Sequence, residues 1–110
     1  MHVEDLADAI VFCLENWSPD DKKAPKDENE IPLSFLNIGT GKDISIRNLA
    51  LLIAQETKFK GEIIWDKKMP DGTPKKLLSV DKIKSLGWEP KIDLRSGIRK
   101  TINEYKRLYN

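Results

Sequence analysis

The order of elements written in the sequence predicts an α/β fold. Helical periodicity opens and closes the chain and recurs in its middle. Between those stretches lie two short segments rich in β-branched and aromatic residues. The resulting order is helix, strand, helix, strand, short helix, helix, and two strands joined through a helix make a βαβ-like unit. The 110 residues suit one domain, residues 1–110, around one modest core.

Residues 3–16 read as the first helix. Val3, Leu6, Ile10, Cys13, Leu14 and Trp17 recur at helical spacing, and acids crowd the first turn, where the helix dipole favours them. The run Ala9–Leu14 is apolar at every position, so it wraps the helix on all sides. Such a helix wants cover on every face, and a core of this size rarely supplies it. Residues 18–32 carry three prolines and mixed charge, the composition of a mobile surface loop. Residues 33–37 form the first strand candidate, followed by a Gly-Thr-Gly turn. Ser45 caps a helix whose stripe is Ile46, Leu49, Ala50, Ile53 and Ala54. Residues 61–66 form the second strand candidate. Asp81–Gly87 gives a short helix closed by its glycine, and Asp93 caps a last helix with Leu94, Ile98, Ile102, Tyr105 and Leu108 on its inner face. Gly97 costs that helix up to about 1 kcal/mol relative to alanine. Two short strands make a poor sheet unless they extend a larger one.

Composition excludes several functions. Apolar residues are 39% and charged residues 34%, and no apolar run reaches the ~20 residues a membrane helix needs. A net charge of +1 does not suit a nucleic-acid or membrane-surface binder. The single Cys13 rules out an internal disulfide and leans towards a reducing, cytoplasmic setting. His2 has no metal-ligating company, and no metal site is expected. Trp65 and Trp88 read as core anchors. Gly39–Ile44 opens like a dinucleotide fingerprint, but Ile44 stands where the third glycine belongs, so it reads as a tight turn.

One loop is left with chemistry to explain. Residues 69–80, M-P-D-G-T-P-K-K-L-L-S-V, place two prolines, an Asp-Gly pair and twin lysines between apolar runs. Pro70 and Pro74 each lack an N–H, so a tight hairpin is disfavoured, and Pro70–Gly72 fits a type I turn. Asp71, Lys75 and Lys76 can be a solvated charged turn. They can also grip a nucleotide-sugar. Lysine ammonium groups suit a phosphate, and a carboxylate accepts from sugar hydroxyls or base N–H groups.

The stretches H-V-E-D-L-A-D-A, N-I-G-T-G-K-D-I-S-I-R-N-L-A and K-K-M-P-D-G-T-P-K-K-L-L-S-V, followed by L-G-W, resemble the C-terminal third of the GDP-L-fucose synthase family. That family lies within the extended short-chain dehydrogenase/reductases, and the resemblance runs from His2 to about Tyr105. The first two stretches mark the broad superfamily, whereas P-D-G-T-P-K-K-L-L points to the fucose synthase branch. The resemblance implies a small C-terminal substrate-binding domain without its Rossmann domain, which in the family binds NADP(H) and carries the catalytic serine, tyrosine and lysine. It implies a GDP-sugar as ligand, with Asp71 and Lys76 as substrate-binding residues and Lys75 as a possible third. It implies no cofactor and no catalysis in this chain alone, and a homodimeric full-length enzyme that epimerises and reduces a GDP-4-keto sugar. Two alternatives stay open: a part of another nucleotide-sugar epimerase or dehydratase, and a free-standing α/β interaction module.

Overall fold

The computed structural model describes residues 1–70 and 72–109. Among these residues four helices follow one another: α1 (Val3–Asn16), α2 (Ile46–Thr57), α3 (Asp81–Ser85) and α4 (Leu94–Tyr109). The helix starts obey the chemistry of their sequences. Ser45 caps α2 by accepting from the Asn48 N–H at 3.2 Å. Asp93 does the same for α4, accepting from the Ser96 N–H at 3.0 Å. Gly87, at φ +103°, closes the turn after α3. His2 caps α1, its Nδ1 accepting from the Glu4 N–H at 3.2 Å. His2 also packs on α4: a Cβ added at Gly97 would lie 3.3 Å from the imidazole Cδ2. The glycine is therefore a point of close approach between the α1 cap and α4, not merely a weak spot.

The expected α/β sheet requires correction. Among the described residues the only β-pairing is an isolated bridge between Lys26 and Pro32. Residues 33–37 and 61–66 form no ladder. A β-branched sequence fits a pleated surface but makes a strand only beside a neighbour whose N–H and C=O groups complete the ladder. The 18–32 loop, by contrast, is internally tied. Asp27 accepts from the N–H groups of Asn29 (2.8 Å) and Ile31 (2.9 Å), and the Leu33 N–H donates to Pro25 O.

The core is small. Ala9, Val80, Ile83 and Trp88 form it, with Phe12, Cys13 and Ile38 packed on its edge. Burial there pushes the Cys13 thiol pKa up. Trp88 is the anchor expected of it, but Trp65 is 44% exposed. The inner stripe of α4 also outruns its cover, since Tyr105 and Leu108 are 63% and 61% exposed. Overall the chain is a thin plate of 55 × 37 × 17 Å. Its radius of gyration is 18.1 Å, where a compact domain of this length has about 13 Å. Its accessible surface of 9258 Å² exceeds by about 3,000 Å² that of a folded monomer of its mass.

Candidate functional site

The loop that carries the lysines is held firmly at one end. Asp66 starts it: its Oδ1 accepts from the Lys68 N–H at 2.9 Å, and its carbonyl accepts from the Met69 N–H at 3.4 Å. This turn lies just upstream of the one expected at Pro70–Gly72, which falls partly on Asp71, outside the described residues. Lys67, Lys68, Lys75 and Lys76 are all exposed, and none enters an ion pair among the described residues. The downstream end is fixed by Val80, which is 4% exposed and seats in the core four residues after Lys76.

The anchor beneath Val80 depends on carboxylates of α1. Asp5, only 3% exposed, accepts from two successive backbone N–H groups, Lys91 at 3.1 Å and Ile92 at 3.0 Å. One turn on, Asp8 accepts from the Trp88 indole N–H at 2.9 Å and lies 3.4 Å from the Lys91 ammonium. The Trp88 bond, then Lys91, hold the Asp8 carboxyl pKa below its ordinary value. These acids do more than complement a dipole: they strap residues 88–92 to α1 and so fix Trp88, Ile83 and Val80. Sequence reasoning missed this. The available signal was a pair of acids three apart on the helix face that also carries Ala9.

A second tie joins α2 to α4. The mostly covered Glu56 side chain accepts from Arg95 and Arg99, while Arg95 also donates to Gln55 Oε1 at 3.0 Å. The Arg99 bond leads in holding Glu56 below the usual glutamate range.

The cavity beside α2, about 510 Å³, is lined by Arg47, Leu51, Phe59 and Trp65 among others, and one of about 480 Å³ runs past Thr40, Lys42 and Lys91. Neither includes Lys75 or Lys76. A Cβ at Gly41, φ +67°, would meet Val80 Cγ2 at 3.0 Å, and one at Gly39 would meet Val80 Cγ1 at 3.4 Å. The two glycines therefore let this turn pack against Val80 of the core. Among the described residues, no His, Cys, Asp and Glu group could hold a metal, and no helix is long and apolar enough to cross a membrane.

Comparison with known proteins gives this scaffold its kin. No protein-family model matches the chain. GDP-L-fucose synthase 1 of Arabidopsis thaliana is 42% identical over 105 residues, 96% of this chain and 28% of its own. The GDP-L-fucose synthase of Escherichia coli K12 is 40% identical over 106 residues, 92% of this chain and 30% of its own. Among solved structures, a GDP-6-OMe-4-keto-L-xylo-heptose reductase from Campylobacter jejuni matches with a TM-score of 0.80 at 34% identity, over 98% of this chain and 30% of that one. A GDP-mannoheptose C4 reductase from the same organism, with NADP bound, matches with a TM-score of 0.75 at 35% identity, over 96% of this chain and 30% of that one. The chain thus spans about three-tenths of the length of these relatives. In sequence over nearly all its length, and in fold, the chain is similar to about three-tenths of these GDP-L-fucose synthases and GDP-heptose reductases.

Proposed function

We propose that this chain is the GDP-sugar-gripping part of an epimerase/reductase that makes GDP-L-fucose from a GDP-4-keto sugar, in the cytoplasm, as a homodimer. One observation carries the reading: the chain is similar over 96% of its length to a GDP-L-fucose synthase, and its lysine loop is seated on that shared scaffold through Val80. Lys76 binds the diphosphate side of the nucleotide, Asp71 accepts from its sugar hydroxyls or base N–H groups, and Lys75 is a secondary contact. The rest of the pocket, the NADPH site and the proton-transfer groups belong to the remainder of the enzyme, and this chain alone is catalytically inert. Hydride transfer is the cofactor's chemistry, and no residue described here takes part in it.

Lys76 acts on binding, not on the reacting carbon. In the assembled enzyme Lys76→Ala should raise KM for the GDP-sugar about tenfold or more and leave kcat nearly unchanged, since a charge-assisted bond contributes roughly 1.5–3 kcal/mol to ground and transition states alike. Lys75→Ala should do much less, and Asp71→Asn should weaken binding without loss of fold. Steady-state kinetics with thermal melts as controls decide it. A wild-type KM for Lys76→Ala at equal stability reduces the loop to a solvated turn. Assaying the enzyme with GDP- and dTDP-linked keto sugars separates this reading from a sister nucleotide-sugar enzyme.

A further inference from the structure

The lysine loop is fastened downstream by a side chain whose shape fixes the register of the chain. The two γ-methyls of Val80 each lie against one glycine of the 39–41 turn. A Cβ built on Gly39 would be 3.4 Å from Cγ1, and one built on Gly41 would be 3.0 Å from Cγ2. A β-branched side chain has little freedom about χ1, so this double contact sets both where residue 80 sits and how it is turned. Three residues on, Ile83 is fully buried in the same cluster. The residues that flank these two, Ser79, Asp81, Lys82 and Lys84, are exposed. A slip by one residue would put either Asp81 and Lys84 or Ser79 and Lys82 into the core. Each way, at least one charge would replace an aliphatic side chain. Two polar contacts support the same register: Ser79 Oγ donates to Asp81 Oδ2 at 3.1 Å, and the Lys82 ammonium donates to the Lys26 carbonyl.

Register matters here because the loop carries two lysines in succession. Lys75 and Lys76 are alike in charge and reach, and both are exposed. Residues 75–80 form no helix or turn. In an extended run, neighbouring side chains face opposite ways, so a chain held at residue 80 decides which ammonium faces a given ligand.

We propose that Val80, seated on the Gly39–Gly41 turn, is a register pin: a positioning residue that presents Lys76 rather than Lys75 to the diphosphate. The inference rests on the GDP-sugar reading above, and adds what chooses between the twin lysines. Gly41 is the tight half of the seat, since its φ of +67° and its 3.0 Å approach both penalise a side chain, whereas 3.4 Å at Gly39 is an ordinary contact.

The test measures steady-state kinetics with the GDP-sugar in the assembled enzyme, with each lysine variant in two backgrounds. With the pin intact, Lys76→Ala should raise KM about tenfold or more and Lys75→Ala less than about twofold. With the pin loosened by Val80→Ala, either ammonium reaches the anion, and the two penalties should converge to within about threefold of each other. Throughout, kcat should stay within about twofold. A purely structural role for Val80 would lower the melting temperature and leave the ratio of the two penalties where it was. Gly41→Ala supplies a second loosened background should Val80→Ala fail to fold, and Gly39→Ala is the control that keeps the parental ratio. An unchanged ratio in a folded Val80→Ala or Gly41→Ala enzyme overturns the pin and leaves the grip standing. Equal penalties for the two lysines in the parent do the same. A wild-type KM for Lys76→Ala in the parent overturns the grip, and with it the pin.

Discussion

Asp5→Ala should come close to unfolding the isolated chain. The carboxylate is 3% exposed and accepts from the Lys91 and Ile92 N–H groups at 3.1 and 3.0 Å. Hydrogen bonds to a charged group contribute about 1.5–3 kcal/mol each, so deleting both would cost about 3–6 kcal/mol if the amides stayed dry. Residue 91 is exposed, which lets water replace part of the loss, and about 2–4 kcal/mol is the net expectation. The low end of the usual stability range for 110 residues is about 5–6 kcal/mol, and a plate with so small a core belongs near it. Loss of the first-turn charge alone would cost only about 0.3–1 kcal/mol. Asp5→Asn, which keeps one acceptor oxygen, should fall between, at about 1–2 kcal/mol. Urea titration followed by tryptophan fluorescence should place the Asp5→Ala midpoint about 1–2 M below that of the parent. Amide exchange should show the Lys91 and Ile92 N–H groups losing protection first. An Asp5→Ala midpoint unchanged within experimental scatter, with both amides still protected, would refute the strap.

Other perturbations follow from neighbouring contacts. Ile83→Ala, at a fully buried position in the core, should cost about 2–5 kcal/mol in the same titration, and a cost below 1 kcal/mol would mean that the cluster is not the core. Gly97→Ala should not deliver the gain of up to about 1 kcal/mol usual inside a helix, because its Cβ would press on the His2 cap; a full gain in melting free energy contradicts that close approach. Glu56 has a folded pKa held below its ordinary 4.5 by Arg99 and Arg95. Its charged form therefore stabilises the fold at neutral pH, and that stabilisation drains away as pH falls through 4.5 towards the folded value. Melting temperatures between pH 6 and pH 3 should accordingly drop less steeply for Glu56→Gln than for the parent, and parallel curves would sink the assignment.

The helices were legible in the sequence because their signals are local. Ser45, Asp93 and Gly87 act on groups within a few residues, and α1 has its expected 3–16 bounds. What failed depended on partners distant in sequence. Residues 33–37 and 61–66 have strand composition, but pairing is a property of two segments, and among the described residues neither pairs with a second one. Tyr105 and Leu108 have the right period for an inner face, yet periodicity says which side is apolar without saying what covers it. The straps from Asp5 to residues 91 and 92 join positions 86 and 87 apart, beyond any spacing rule. At the candidate site, the lysines were legible as residues, and their seating through Val80 was not, because Gly39 and Gly41 carry no side chain to advertise what lies against them.

The same long-range straps govern how the chain would fare under proteolysis. Trypsin needs an accessible, locally open segment after lysine or arginine, and the loop with Lys67, Lys68, Lys75 and Lys76 is exposed on a framework of one Asp66 turn. A cut there severs the backbone between α2 and α3 but breaks neither the Asp5–Lys91–Ile92 strap nor the Glu56–Arg95–Arg99 tie, each of which has one end on either side of the nick. The two pieces remain bound to each other, so the digested chain migrates as one particle under native conditions and as two bands once denatured.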